Sequence, residues 1–276
     1  MHPPPPSELR DVYATDRTPI YLARLWGRRE YVLFVARSEL RSRQMTTVLG
    51  NLWHLLNPAI SIAIYYLIFG VLLKADRGVD NYTLFITVGV LFFADVQRAT
   101  MAGAGSIANN RGLLQSLGFP RAMLPITSTV TEVMATLPSL VVIAFVALAT
   151  GETPRFTWLL LPVLLAVMAI MNLGLAMIAA RASSRYSDLR QVLPFVFRLL
   201  LYCSGVVFSI DFLARGKSWK WVFDLNPVYG YISVARWAMV GGDLRWQWSV
   251  SAGVWTVLLI VAGFLWFRQA EDTYGR

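Results

Sequence analysis

Six stretches of the chain are apolar for about 20 residues, without the alternation that a half-buried strand requires. Residues 52–73 contain no charge. Residues 82–102 form a second stretch, interrupted by Asp95 and Arg98. The third, 124–149, carries Glu132 near its start, and 156–180 is again uncharged. Residues 191–210 carry Arg198, and 246–267 have no charge. Runs of this length cross a hydrocarbon core of about 30 Å as helices, because a helix satisfies its own backbone hydrogen bonds in lipid. Barrel strands are shorter and alternate in polarity. The pattern predicts an all-α, polytopic membrane protein with six transmembrane helices over residues 49–270.

Two further stretches are amphipathic. In residues 20–48, Leu22, Leu25, Trp26, Val32, Leu33, Ala36 and Leu40 fall on one helical face. Arg24, Arg28, Arg37 and Arg41 mostly face away, and Arg29 interrupts the stripe. This predicts an amphipathic helix lying in the membrane interface. Residues 211–245 are rich in aromatics: Trp219, Trp221, Trp237, Tyr229 and Tyr231. Such side chains belong at the lipid–water boundary. Asp224, Asn226, Pro227 and Arg236 make 222–240 too polar to cross. Short re-entrant helices in the outer leaflet are expected between spans five and six. Residues 1–19 and 271–276 read as tails.

Composition agrees. Hydrophobic residues make up 56 % and charged residues 15 %, with a mean hydropathy of +0.53. A compact soluble enzyme and a disordered chain are both disfavoured. The net charge of +9 comes from 22 Arg and three Lys against 16 acids. Fifteen of the basic residues lie on the side that holds both termini and eight on the other. The positive-inside rule then puts both termini in the cytoplasm of a plasma-membrane protein. That distribution explains the charge better than nucleic-acid binding does. The lone Cys203 cannot form an internal disulfide.

No catalytic constellation is evident. The string from Asp211 to Ser218 ends in Gly-Lys-Ser but has Asp211 where a P-loop requires glycine. His2, His54 and Cys203 are too scattered for a metal site. No enzyme activity, metal or cofactor is expected on this chain. Asp95 and Arg98, at i and i+3, can pair on one helix face. Glu132 and Arg198 would face a water-filled lumen or a neighbouring helix. Tyr65 and Phe69, and Phe195 and Tyr202, repeat on single faces of spans one and five. Such faces suit either a sliding sugar chain or ordinary helix packing.

The segment Asn109-Asn110-Arg111-Gly112-Leu113-Leu114-Gln115-Ser116-Leu117-Gly118-Phe119-Pro120-Arg121, followed by Leu124-Pro125, resembles the Phe-Pro-Arg segment of ABC-2 membrane subunits. The likeness is strongest to polysaccharide exporters for O-antigen and teichoic acid, and within them to permeases of lipid-linked cell-wall galactan. Asn226-Pro227 with Arg236 downstream resembles the family's "N-P…R" element. The segment Tyr186 to Arg190 occupies the place of its Arg-Asp pair, in altered order.

The resemblance implies a homodimeric channel driven by two copies of a separate ABC ATPase, which holds ATP and Mg. Arg111, Leu113, Leu114, Leu117, Phe119, Pro120 and Arg121 would form the helix that couples to the ATPase. Tyr65, Phe69, Phe195 and Tyr202 would line the channel. Arg24, Arg28 and Arg29 would admit a lipid-pyrophosphate headgroup. Asn226, Pro227, Tyr229, Tyr231 and Arg236 would belong to an outer gate. The cargo implied is a lipid-linked polysaccharide, with a small hydrophobic drug or lipid as the alternative. A wet aromatic path favours the former, and a lateral opening to lipid the latter.

Overall fold

The computed structural model describes residues 18–43, 49–76, 78–110 and 120–270. Among them every regular element is helical. The N-terminal part forms α1 (Thr18–Gly27) and α2 (Arg29–Ser42). Then come α3 (Trp53–Tyr65), α4 (Tyr82–Ser106), α5 (Met123–Ala149) and α6 (Leu160–Arg185). They are followed by α7 (Leu189–Cys203), α8 (Ile210–Leu213), α9 (Trp221–Asp224), α10 (Pro227–Val240) and α11 (Trp246–Gln269).

Among the described residues five helices are long and apolar enough to cross a membrane: Leu55–Leu72, Tyr82–Ser106, Met123–Ala149, Phe156–Arg185 and Trp246–Gln269. The fifth predicted span differs. Its helix, α7, stops at Cys203 after 15 residues, about 22 Å of rise. The chain then turns through Gly205, whose φ of +62° favours glycine. The predicted interface helix is also two helices, broken at Arg28 (φ −104°, ψ 15°), and residues 44–48 of it lie outside the described residues. The first span ends in a π-helical stretch, Tyr66–Leu72.

α4 is the hub. Asn81 caps its start, accepting from the Leu84 N–H at 3.1 Å, and most of its side chains are buried. α6 lies against it at a small-residue contact: a Cβ on Gly103 would come within 2.5 Å of Ala176 Cα. α6 meets α11 the same way. A Cβ on Gly174 would lie 2.4 Å from the Leu259 backbone, and one on Gly263 2.4 Å from Gly174 O. Small residues let membrane helices approach closely enough for dispersion to hold them. Gly174→Val is therefore expected to force α6 and α11 apart, at a cost of about 2 kcal/mol. Gly253, on α11 with nothing within 4 Å, should accept alanine with no loss. Unfolding titrations of the two variants in detergent check the contrast.

The connections gather at two ends. At one, Tyr21 of α1 is buried with Ile107, Ala122, Met177, Ala180 and Phe267. At the other, Asn81 donates to Thr150 (2.8 Å), Trp158 Nε1 to Met239 O (3.1 Å), and Trp255 Nε1 to Leu225 O (2.6 Å). The Tyr82 hydroxyl donates to Val207 O at 2.9 Å, so the turn after α7 reaches the level where α4 begins. The outward faces of α5 (Leu137, Val141, Phe145, Leu148) and α11 (Val250, Val254, Val257, Leu258, Val261, Leu265) are apolar, as lipid contact requires.

Candidate translocation path and its supports

Aromatic rings join the π-helical end of the first span to the end of α7 and the turn after it. Tyr65 stacks on Phe69 (centroids 6.1 Å, 18°). Phe69 in turn meets Tyr202 (6.3 Å) and Phe208 (5.7 Å, edge-on). Phe69 is buried, whereas Tyr202 is 45 % and Phe195 66 % exposed. Three of the four predicted channel residues are thus one cluster. Phe195 stands apart on the same helix, under the Arg198 guanidinium at 5.7 Å. Phe69 and Tyr65 belong to the packed core, while the face of α7 that bears Phe195 and Tyr202 is exposed. It carries Tyr202 and Arg198, unlike the apolar outer faces of α5 and α11.

A polar chain crosses the interior beside this wall. Arg43 Nη1, at the end of α2, donates to Glu132 Oε1 of α5 at 2.7 Å. The other Glu132 oxygen lies 3.6 Å from Arg98 Nε of α4. Arg98 Nη2 donates to the Thr136 hydroxyl (3.0 Å), which donates to Asp95 Oδ1 (2.5 Å). Asn172 Nδ2 of α6 donates to Asp95 Oδ2 (2.8 Å). Asp95 is fully buried and Glu132 is 3 % exposed. The predicted direct pair of Asp95 with Arg98 does not form: Thr136 bridges them, and Arg98 turns to Glu132. Thr136, Asn172 and Arg43 were not singled out in the sequence. The signal was there in the hydroxyls at 127–139, a polar density unusual for a membrane helix. Thr127, Ser128, Thr129, Thr131, Thr136 and Ser139 are all buried.

At the opposite end, α10 is fastened to the turn after α7. The Asn226 carboxamide oxygen accepts from Val228 N (3.0 Å) and Tyr229 N (3.4 Å), capping the helix, and Pro227 takes the first helical position. The Asn226 amide donates to Ser204 Oγ (3.0 Å) and Cys203 O (3.3 Å). Nearly three turns further along α10, Arg236 donates to Gly205 O (2.8 Å), Val206 O (2.9 Å) and twice to Phe85 O (3.1 and 2.9 Å). Its guanidinium lies 3.2 Å from the centre of the Phe85 ring. Asn226 and Arg236 are thus two jaws on one turn. Tyr229 is buried edge-on to Trp248 (6.3 Å), and Tyr231 shares a 2.6 Å hydrogen bond with Thr256. Both tyrosines pack inside the subunit. A network of Lys220, Asp211, Arg245 and Asp224 ties the short helices around them.

At the end that holds α1, Pro120 and Arg121 are half-buried where the chain enters α5. The Ala122 N–H donates to the Tyr21 hydroxyl at 3.3 Å. Arg111, Leu113, Leu114, Leu117 and Phe119 lie outside the described residues. Arg24, Arg28 and Arg29 are exposed, and Arg29 lies over the Trp26 ring at 5.5 Å. Only part of the predicted apolar face of α1 and α2 packs inward: Val32 and Ala36 are buried, but Trp26 and Leu22 stay exposed. Tyr21, off that face, is the inward anchor of α1. Among the described residues no group of acids, histidines and cysteines could hold a metal ion.

Residues 31–240 match the ABC-2 type transporter family, a span that includes the polar chain, the aromatic cluster and the Asn226–Arg236 clamp. The chain belongs to that family. It is 23 % identical over 246 residues to an O-antigen export system permease protein of Klebsiella pneumoniae, covering 88 % of this chain and 92 % of the relative. It is 26 % identical over 204 residues to the O-antigen export system permease protein of Myxococcus xanthus, covering 74 % and 78 %. To the polysialic acid transport protein of Escherichia coli it is 20 % identical over 236 residues, covering 85 % and 91 %. This ABC-2 chain is therefore a multi-pass membrane protein, similar over most of its length to polysaccharide export permeases.

Proposed function

We propose that this chain is the membrane subunit of an exporter that moves a lipid-linked polysaccharide, the cell-wall galactan by sequence resemblance, outward across the plasma membrane. The observation that carries the reading is the aromatic cluster of Tyr65, Phe69 and Tyr202, which runs onto an exposed face of α7 that bears Tyr202 and Phe195. Aromatic faces grip the CH surfaces of sugars without fixed hydrogen bonds, so a polymer slides along them. In a homodimer two such faces would enclose the conduit. α7 with the turn through Val207 would complete a sixth crossing, a reading supported by the Tyr82–Val207 bond. Both termini would then be cytoplasmic, with α8 to α10 forming the outer gate.

Two copies of a separate ATPase would bind below, on Arg111, Leu113, Leu114, Leu117, Phe119, Pro120 and Arg121. They would hold ATP and Mg. Binding of ATP would favour one state of the paired subunits over another, and that difference in affinity supplies the work. Arg24, Arg28 and Arg29, exposed on α1 and α2, would attract the carrier's pyrophosphate at the membrane surface.

Exchange of Leu113, Leu114 and Phe119 for aspartate puts charge where an apolar ridge would seat. It is expected to lower ATPase co-purification and polymer export at least tenfold, while the permease still reaches the membrane. Wild-type export by this variant would overturn the coupling assignment. Galactan accumulating inside cells depleted of the chain tests the cargo.

A further inference from the structure

Among the described residues, Arg198 is a charged side chain within a predicted span that has neither an ion pair nor a carbonyl partner. It stands nine residues into α7, about 14 Å along the helix and so near the middle of a core of about 30 Å. The other intramembrane arginine, Arg98, has Glu132. Arg236 has three backbone carbonyls. Arg198 is exposed, and its guanidinium lies 5.7 Å from the centre of the Phe195 ring. Among the described residues it makes no ion pair.

A second copy of the chain cannot supply the missing charge at this depth. The acids within the spans are Asp95 and Glu132, both buried and already held by Thr136, Asn172, Arg43 and Arg98. An isolated guanidinium in lipid is costly, so its face must meet water or an anion. The same face carries Tyr202, which the Tyr65–Phe69 stack adjoins. Phenols and a planar guanidinium together suit a phosphoryl or carboxylate group, which accepts two parallel hydrogen bonds from arginine.

We propose that Arg198 binds an anionic group of the cargo as it passes the middle of the membrane, one guanidinium from each subunit. The anion is the carrier diphosphate or an acidic sugar. This rests on the reading above that α3 and α7 line the path. As a cation site half-way through, it would lower the barrier for the one part of the cargo that lipid and aromatic walls repel.

The test uses the permease with its ATPase in nanodiscs. Three probes are compared by the concentration that half-maximally stimulates ATP hydrolysis. They are a neutral oligosaccharide on a polyprenyl diphosphate, the same oligosaccharide on an uncharged polyprenyl ether, and an acidic oligosaccharide on that ether. Wild type is expected to respond to one charged probe at a concentration at least tenfold lower than to the uncharged probe. Which charged probe it prefers identifies the anion's source. Arg198→Gln should abolish the preference, and Arg198→Lys should keep part of it. Equal unfolding midpoints for the three proteins separate recognition from folding. Arg198→Gln with the wild-type preference, or wild type without one, overturns the inference alone. A wild type silent to all three probes overturns the polysaccharide reading and the inference with it.

Discussion

Replacing Arg236 by methionine is expected to lower the stability of the subunit by about 3 kcal/mol, seen as an earlier unfolding midpoint in detergent. The side chain fits by length, so the loss reports the head group. Its guanidinium makes four hydrogen bonds to three carbonyls that belong to two different elements, and it covers the Phe85 ring. Without it those carbonyls face methionine. Gly205 O and Val206 O follow the end of α7 and are outside its helical ladder. Arg236→Lys is expected to recover only part of the loss, because an ammonium cannot span acceptors on α4 and on the turn together. Gly89→Ala should mimic the defect from the other side. A Cβ there would lie 2.6 Å from Arg236 Nη2 and 2.8 Å from Val206 O. The residues predicted as a gate would then prove to be the clamp that holds the outer helices to the spans.

That clamp also explains where the sequence was hard to read. The spans over 52–73, 82–102, 124–149, 156–180 and 246–267 were legible because lipid demands long apolar runs, and α3, α4, α5, α6 and α11 follow them closely. The fifth run is just as apolar through Val206 and Val207, yet its helix stops at Cys203. What ends it is a tertiary event. Asn226 and Arg236, more than 20 residues downstream, take its last carbonyls and the turn beyond them. Hydropathy carries no record of such partners. The same holds for Asp95. Spacing on one helix suggested Arg98, but Thr136 and Asn172 from two other helices reach its oxygens. The aromatic cluster was half legible. Tyr65 and Phe69 share a face by spacing, but their contact with Tyr202 depends on how α3 and α7 pack.

Replacing Glu132 by alanine is expected to cost about 2–3 kcal/mol and to loosen α2 more than the rest of the chain. Glu132 is almost wholly buried and carries two arginines at once, Arg43 at 2.7 Å and Arg98 at 3.6 Å. Its removal leaves two cations facing each other beside Thr136. Their side chains are 38 % and 41 % exposed, so water screens part of the repulsion and holds the cost below that of a sealed pair. Arg43→Ala alone should cost about 1 kcal/mol or less, since Arg98 still balances Glu132. The double variant should therefore be less than additive, by about 1 kcal/mol. The local readout is hydrogen exchange. Beyond the packing around Val32 and Ala36, the side-chain hydrogen bonds from α2 to the spans among the described residues are Arg43 with Glu132 and Glu39 with Thr131. Both reach α5 within one turn of Glu132. Faster exchange confined to α2 in Glu132→Ala, with α4 and α6 unchanged, is the expected pattern. Uniform exchange across all helices would show that the carboxylate holds the bundle together rather than the interface helix to it. In that case a movement of α2 would have no charged handle on the spans.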